Sequence, residues 1–285
     1  LSIAEIASRV VQRAVGIRDE RSPARHQNLA ATFEWSYELL TAPQQTLFDR
    51  LAVFVGAFDI SAAEVVAEWD PIAAGDVPEH LTELVDASKV AAERGSDGSI
   101  RYRLLDTLRS FGRERLELRG ERAVVAGRHS GYFLGLARLV DAAWLAPAPA
   151  GAMEALAAAN DDLLAALEWS LDHELRSRAL EAAAGLLYYW FWRADPANAY
   201  RYGQRMLEEA ETEPAPALAA AHLCVGFGAQ LMGDLGRSAG ALATAIGILE
   251  EADDWKLLLW AYNGQGQGGV FAAMPELTAS MGRAI

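Results

Sequence analysis

The chain has 285 residues, a net charge of −14 and 52% apolar residues, with mean hydropathy near zero. That length allows two compact units, or one domain plus a repeat array, and the apolar share is too high for a disordered chain. The longest nearly apolar run, residues 218–233, contains His222 and Gln230 and falls short of the ~18 residues a membrane-spanning helix needs. The acidity also disfavours a main role in gripping phosphate backbones, which takes clustered Lys and Arg.

The first residue is Leu1 and no basic-then-apolar leader follows, so the sequence reads as a fragment of a cytoplasmic protein. Residues 1–130 carry 16 basic and 20 acidic side chains, and residues 131–285 carry 9 and 19. The two halves are different surfaces. Thr41-Ala42-Pro43-Gln44 is a helix start with a capping box, followed by Leu47, Phe48, Leu51 and Phe54 at helical spacing. Ser61 to Glu64 repeats that signal, with Val65, Val66 and Trp69 as the expected apolar stripe. Asp76 opens a third helix, whose expected buried face is Val77, Leu81, Leu84 and Val85.

The period then changes. Lys89 to Glu93 reads as extended, Ser96 to Ser99 as a hairpin turn, and Ile100, Tyr102 and Leu104 alternate with Arg101 and Arg103 as a half-buried strand. Leu105, Leu108, Phe111 and Leu116 return to helical spacing, and Gly120 suits a helix stop. Three helices, a hairpin and a closing helix over residues 29–120 predict a winged helix-turn-helix unit.

The second half reads as helical throughout. Ala123 to Ala143 carries Tyr132, Phe133, Leu136 and Val140 on one face, the Ala/Pro stretch 146–151 breaks it, and Ala152 to Leu171 follows as a bridging helix. Residues 121–175 thus form the bridge. From 176 to 285 a repeat is expected. Gly185, Gly226 and Gly264 recur in Ala- and Leu-rich helices, and Ala194-Asp195 and Gly233-Asp234 occupy matching turns, each before a second helix at Tyr200 to Ala210 and Ser238 to Glu251. Such paired helices predict a truncated tetratricopeptide-like solenoid, so the fold class is mainly α.

Catalytic signals are absent from the sequence. Five scattered histidines have no i, i+4 pair, and Cys224 is the only cysteine, so neither a metal site nor a disulfide framework is expected. Asp161-Asp162 and Asp253-Asp254 read as helix-start or turn residues. Gly264-x-Gly266-x-x-Gly269 matches a dinucleotide fingerprint literally, but only 16 residues follow it, too few for the acidic residue expected ~20 positions on. It reads instead as a small-residue helix face.

The helix in the recognition position, Asp76 to Asp86, carries four carboxylates and no Arg or Lys before Lys89. A groove-inserted helix needs donors and cations, so direct reading of DNA is disfavoured. Arg101, Arg103, Arg109, Arg113, Arg115 and Arg119 form a basic stripe instead. It reads either as solvated arginines or as a face docking an acidic neighbouring domain or a phosphate. Tyr188, Tyr189, Trp190, Phe191 and Trp192 run consecutively and wrap all sides of a helix. They read as packing residues or, for Tyr188, Tyr189, Trp190 and Trp192, as a candidate partner or ligand surface.

Arg25 to Leu29, Phe33 to Leu40, Leu47 to Phe54, Leu84 to Val90 and Tyr102 to Arg109, in that order, resemble the winged-helix segment of NB-ARC-like (STAND) signal-transduction ATPases. These include LuxR-type and antibiotic-regulatory proteins of high-GC bacteria, and 23 Arg against 2 Lys fits such a source. Asn160 to Leu163 with Ala166 to Trp169 is similar to the family's bridge into its helical repeats. The resemblance implies an effector or DNA-binding end and a P-loop ATPase upstream, using ATP or ADP with Mg. Residues 1–28 would be the end of its helical lid, and this chain would hold no cofactor and catalyse nothing. It implies an unknown inducer or protein partner on the repeats, the ATPase domain as a partner in cis, DNA contact only through the absent effector domain, and no membrane. The family's nucleotide-sensing Met-His-Asp motif aligns with Leu104, Leu105 and Asp106, so its His is replaced by Leu105. A DNA-binding winged-helix regulator is the alternative reading.

Overall fold

The computed structural model describes residues 33–266, apart from 96–97, 144–149, 174, 209 and 211–213. After a short helical segment at 33–38 come α1 (Ala42–Leu51), α2 (Ile60–Ala67), α3 (Val77–Asp86), β1 (Ala91–Arg94), β2 (Ile100–Arg103) and α4 (Asp106–Leu118). This is the expected winged helix with its two-stranded wing. The wing is antiparallel, pairing Ala91 with Arg103 and Arg94 with Ile100. Phe58 extends it by exchanging two backbone hydrogen bonds with Tyr102 (2.9 and 2.8 Å).

Local chemistry accounts for the boundaries. At α1 the Thr41 N–H donates to Gln44 Oε1 (2.8 Å), the reciprocal half of a capping box. α2 starts two residues earlier than expected because Asp59, not Ser61, is its cap, accepting from Ala62 N–H (2.8 Å). Ala62, Ala63 and Val66 are the buried face of this helix, while Val65 is exposed. Trp69 lies beyond the helix and is only half-buried. Val77, Leu81 and Leu84 of α3 are buried as expected. Gly112 of α4 is a packing requirement: a Cβ there would lie 2.7 Å from Ala52 Cβ, so α1 and α4 approach at the smallest residue. The wing is more exposed than the sequence suggests. Ile100 is exposed, Tyr102 half-buried, and only Leu104, past the strand end, is fully inside. The expected turn at 96–99 and the break at 146–151 lie largely outside the described residues.

The helical half comprises α5 (Arg122–Ala143), α6 (Ala150–Ala158), α7 (Asn160–Asp172), α8 (Arg176–Glu181), α9 (Ala183–Arg193), α10 (Pro196–Leu207), α11 (Ala215–Leu231), α12 (Leu235–Ala252) and a helical segment at 255–266. The single bridging helix expected from 152 to 171 is two helices, broken at Ala159 (φ −110°, ψ 19°). α5 is the long central strut, packing against α2, α7 and α9.

The repeat is clearest in its turns. Ala194 (φ 52°) and Gly233 (φ 86°) are left-handed. The next residue in each case, Asp195 or Asp234, donates its N–H five residues back (to Trp190 O and Ala229 O, both 2.9 Å) and caps the following helix with its carboxylate. The helices after these turns begin at Pro196 and Leu235, three to four residues before the expected starts. The glycines do not keep that phase. The turns are 39 residues apart, which sets Gly185 opposite Cys224. Gly185 faces the Ala137 carbonyl of α5, whereas Gly226 faces Leu242 of its own partner helix.

The aromatic run is mostly core. Tyr188, Tyr189 and Trp190 are no more than 1% exposed. Trp190 stacks on Tyr202 at 5.8 Å, and Tyr189 Oη donates to Asn160 Oδ1 (3.0 Å). Of the four surface candidates only Trp192, at 54%, is exposed, joined by Phe191. Among the described residues no helix is long and apolar enough to cross a membrane, and no cluster of metal-ligating side chains occurs.

Candidate functional site at the winged-helix junction

The outward surface of α3 is anionic. Asp76, Glu79 and Asp86 are exposed. Glu83 accepts from Gln44 Nε2 (2.8 Å) and pairs with His80 Nδ1 (3.0 Å); these bonds, Gln44's first, hold its carboxyl below the usual carboxylate range. The nearest lysine offers no compensation. Lys89 is buried with its ammonium on Ser36 Oγ, and that burial lowers its pKa. In the wing, Arg101 reaches Asp59 at 3.5 Å, while Arg94 and Arg103 stay exposed.

The basic stripe of α4 turns largely inward. Arg109 donates to Val55 O and pairs with Asp106 (3.1 Å). Arg113 donates from Nε to Ala52 O (3.0 Å) and from Nη2 to Val53 O (3.4 Å). The carbonyls left over past the C-terminus of α1 are thus satisfied by side chains of α4. Arg115 pairs with Glu34, and Arg119 with the buried Asp49, which also accepts from Tyr37 Oη (2.8 Å). Desolvation, only partly offset by Arg119, pushes the Asp49 carboxyl up to about 6. As docking candidates, Arg109 and Arg113 are therefore committed to backbone, and Arg103 is the freer of the wing arginines.

The amides of the same segment are held from the other side. Asp162 of α7, fully buried, accepts from Val55 N–H (2.7 Å), Gly56 N–H (3.0 Å) and His129 Nε2 of α5 (2.9 Å). Residues 52–56 are a backbone hub: winged-helix arginines take its carbonyls, and a carboxylate of the helical half takes its amides. Asp162 does lie in the first turn of α7, as its sequence position suggests, but its carboxylate is spent on the neighbouring domain rather than on its own helix end. No short-range signal points to this use, because its backbone partners lie over a hundred residues away and His129 lies 33 away.

A second buried group, equally unforeseen, anchors the end of α1 just before the hub. Arg50 is fully buried, giving five hydrogen bonds to Glu121 Oε2 (2.7 Å) and Oε1 (3.2 Å) and to the carbonyls of Ala67 (3.0 Å), Trp69 (2.8 Å) and Asp70 (2.8 Å). Its guanidinium also lies 3.6 Å from the Trp69 ring centre. A charge that deep is tolerated only because every donor is used. It ties α1 to the loop after α2 and to the α4–α5 junction.

Leu104, Leu105 and Asp106 mark the start of α4. Leu104 is buried, Leu105 is the exposed N-cap residue, and Asp106 pairs with Arg109. A leucine offers phosphate no donor, and the Arg109 beside it is occupied. These residues do not fit a nucleotide diphosphate.

A winged helix-turn-helix domain model matches residues 40–117. A Mycobacterium tuberculosis H37Rv protein whose name is "Putative HTH-type transcriptional regulator Rv0890c" is 38% identical over 188 residues, 65% of this chain and 21% of that protein. An uncharacterized protein of the same strain, Rv0894, is 38% identical over 104 residues, 36% of this chain and 26% of its own length. The chain spans about a fifth to a quarter of the length of these curated relatives. Among solved structures, the signal-transduction ATPase (STAND) protein with a tetratricopeptide repeat sensor from Pyrococcus horikoshii overlaps 91% of this chain and 51% of its own, at 13% identity and a TM-score of 0.30. A likeness that loose fixes no superposition of the two molecules. The domain match and the geometry agree that residues 40–117 form a winged helix-turn-helix domain, and paired helices joined by matching turns follow it.

Proposed function

We propose that this chain is the sensor and relay portion of a STAND-type transcriptional regulator. Its helical repeats bind an inducer or protein partner, and its winged helix passes that event to an ATPase domain upstream in cis. The chain itself is not an enzyme. Nucleotide and Mg contacts belong to that upstream domain, DNA contact to a separate effector domain, and the protein acts in the cytoplasm. The observation that carries this reading is the hub at residues 52–56, where Asp162 of the helical half and Arg109 and Arg113 of the winged helix grip one backbone segment. An event on the repeats can bias a partner domain only through contacts that differ between two states, and this hub is a physical path for such contacts. In the full-length protein, Asp162→Asn is expected to change the basal rate of bound-nucleotide exchange severalfold. An unchanged rate would rule out transmission through the hub.

The second reading is a regulator that touches DNA through this winged helix. The domain match and the regulator name of a 38% identical relative favour it, and the exposed Arg94 and Arg103 of the wing would supply phosphate contacts. The anionic surface of α3 opposes it.

A further inference from the structure

A cleft of about 240 Å³ lies where α4 meets α5 and α7, lined by Arg113, Glu117, Arg122, His129 and Trp169 over an apolar floor that includes Leu116. Its polar groups are unevenly matched. The Trp169 indole N–H is buried with no hydrogen-bond partner, which is uncommon because such groups are costly to leave unpaired. Arg113 spends Nε and Nη2 on carbonyls and leaves Nη1 without a partner among the described residues. Arg122 meets Glu117 in a pair whose side chains are 61% and 50% exposed, so the two can separate at little cost. Partial burial, and then the nearby charges of Arg109 and Arg122, make the Arg113 guanidinium easier to deprotonate than usual, the mark of crowded cations. His129 is already spoken for by Asp162. The larger groove along α5, about 870 Å³, differs in that both of its cations are paired, Arg138 with Glu181 and Lys256 with Asp141.

We propose that the junction cleft binds a small oxyanion, a compact carboxylate or phosphate, seated between the Arg113 and Arg122 guanidinium groups, with a small shift of the Trp169 ring bringing its unpaired indole N–H onto the anion. The size suits it: at ~30 Å³ per water the cleft holds roughly eight waters' worth of volume, room for a compact acid and too little for a nucleotide. The chemistry suits it as well, since charge-assisted bonds from two guanidinium groups are the usual way a carboxylate or phosphate is held. Arg122 is the flexible arm, released from Glu117 when the anion arrives. A bound anion would link α4 of the winged helix to α5 and α7 beside the 52–56 hub, tightening one domain onto the other. The proposal rests on the cleft alone and holds whether or not an ATPase lies upstream.

The test uses the full 285-residue chain. Sodium phosphate and sodium benzoate are titrated at constant ionic strength, followed by calorimetry and tryptophan fluorescence, against wild type, Arg122→Gln and Trp169→Phe. Neither substitution touches the carbonyl clamp. Saturable binding of at least one probe is expected, weakened about tenfold or more in each variant. Phosphate alone binding assigns the site to phosphate esters, and benzoate alone assigns it to aryl carboxylates. No saturable binding up to about 20 mM, or equal binding by wild type and both variants, overturns the proposal.

Discussion

Replacing Asp162 with alanine tests the junction most sharply. The carboxylate is fully buried and accepts three hydrogen bonds, from the amides of Val55 and Gly56 and from His129. Bonds to a charged group contribute about 1.5–3 kcal/mol each. They are not additive, and water entering the gap recovers part of the loss. The expected net cost is about 3–5 kcal/mol, a large share of a typical folding free energy of about 5–15 kcal/mol. Asp162→Asn, which keeps the volume but turns one acceptor into a donor, should cost somewhat less. Asp161→Ala, one residue away and exposed, should stay within about 0.5 kcal/mol. Urea unfolding followed by tryptophan fluorescence measures all three. Because Asp162 joins the two halves, Asp162→Ala should also resolve a single transition into two, as the winged helix loses its tie to the helical array. Coincident midpoints for Asp161→Ala and Asp162→Ala, with one transition in each, would refute the reasoning.

Three further outcomes follow. The Asp49 carboxyl titrates near 6 in the folded chain against about 3.9 unfolded. Its contribution to stability is therefore fully present below pH ~4 and is lost as pH rises through 6, a difference of about 3 kcal/mol; Asp49→Asn should flatten this part of the urea-midpoint profile, and an unchanged slope would contradict the assignment. Gly185→Ala puts a methyl 1.8 Å from the Ala137 carbonyl oxygen and should cost about 3 kcal/mol, whereas Gly135→Ala, whose new methyl meets nothing within 4 Å, should gain ~0.5 kcal/mol from helix propensity; thermal unfolding of the two variants checks the order. Arg50→Lys removes the planar fork that serves five bonds and should lose about 2–4 kcal/mol, seen as a fall in urea midpoint.

Much of this fold is written locally. Thr41 with Gln44 is a short-range capping signal and stands where its pattern places it; Asp195 and Asp234 lie in the expected turns, and as caps they start their helices three to four residues sooner than expected. The alternation in 100–104 marks the wing for the same reason. Misplaced elements had a competing neighbour: Asp59 and Ser61 are caps of similar strength, and α2 starts from the earlier of the two. Nothing in the stretch 152–171 signals the break at Ala159, because alanine suits either a helix or a kink. The burial of Tyr188, Tyr189 and Trp190 depends on α9 having neighbours on several sides, which composition alone does not reveal. The junction was the least legible part. Arg50 and Asp162 act across 71 and 107 residues of sequence respectively, and a charged residue destined for the interior looks the same in sequence as one on the surface. Likewise the basic stripe of α4 was visible, but its inward use depends on the carbonyls of Ala52, Val53 and Val55 lying beside it.

The central claim is that this winged helix relays rather than reads DNA. Its most direct test is fluorescence anisotropy of a labelled duplex titrated with the full chain at about 50 mM salt, where backbone contacts are strongest. The account predicts no saturable binding, because α3 presents Asp76, Glu79 and Asp86 with no exposed cation among them. Saturation that weakens linearly in log salt, and that disappears with Arg94→Ala and Arg103→Ala, would contradict it.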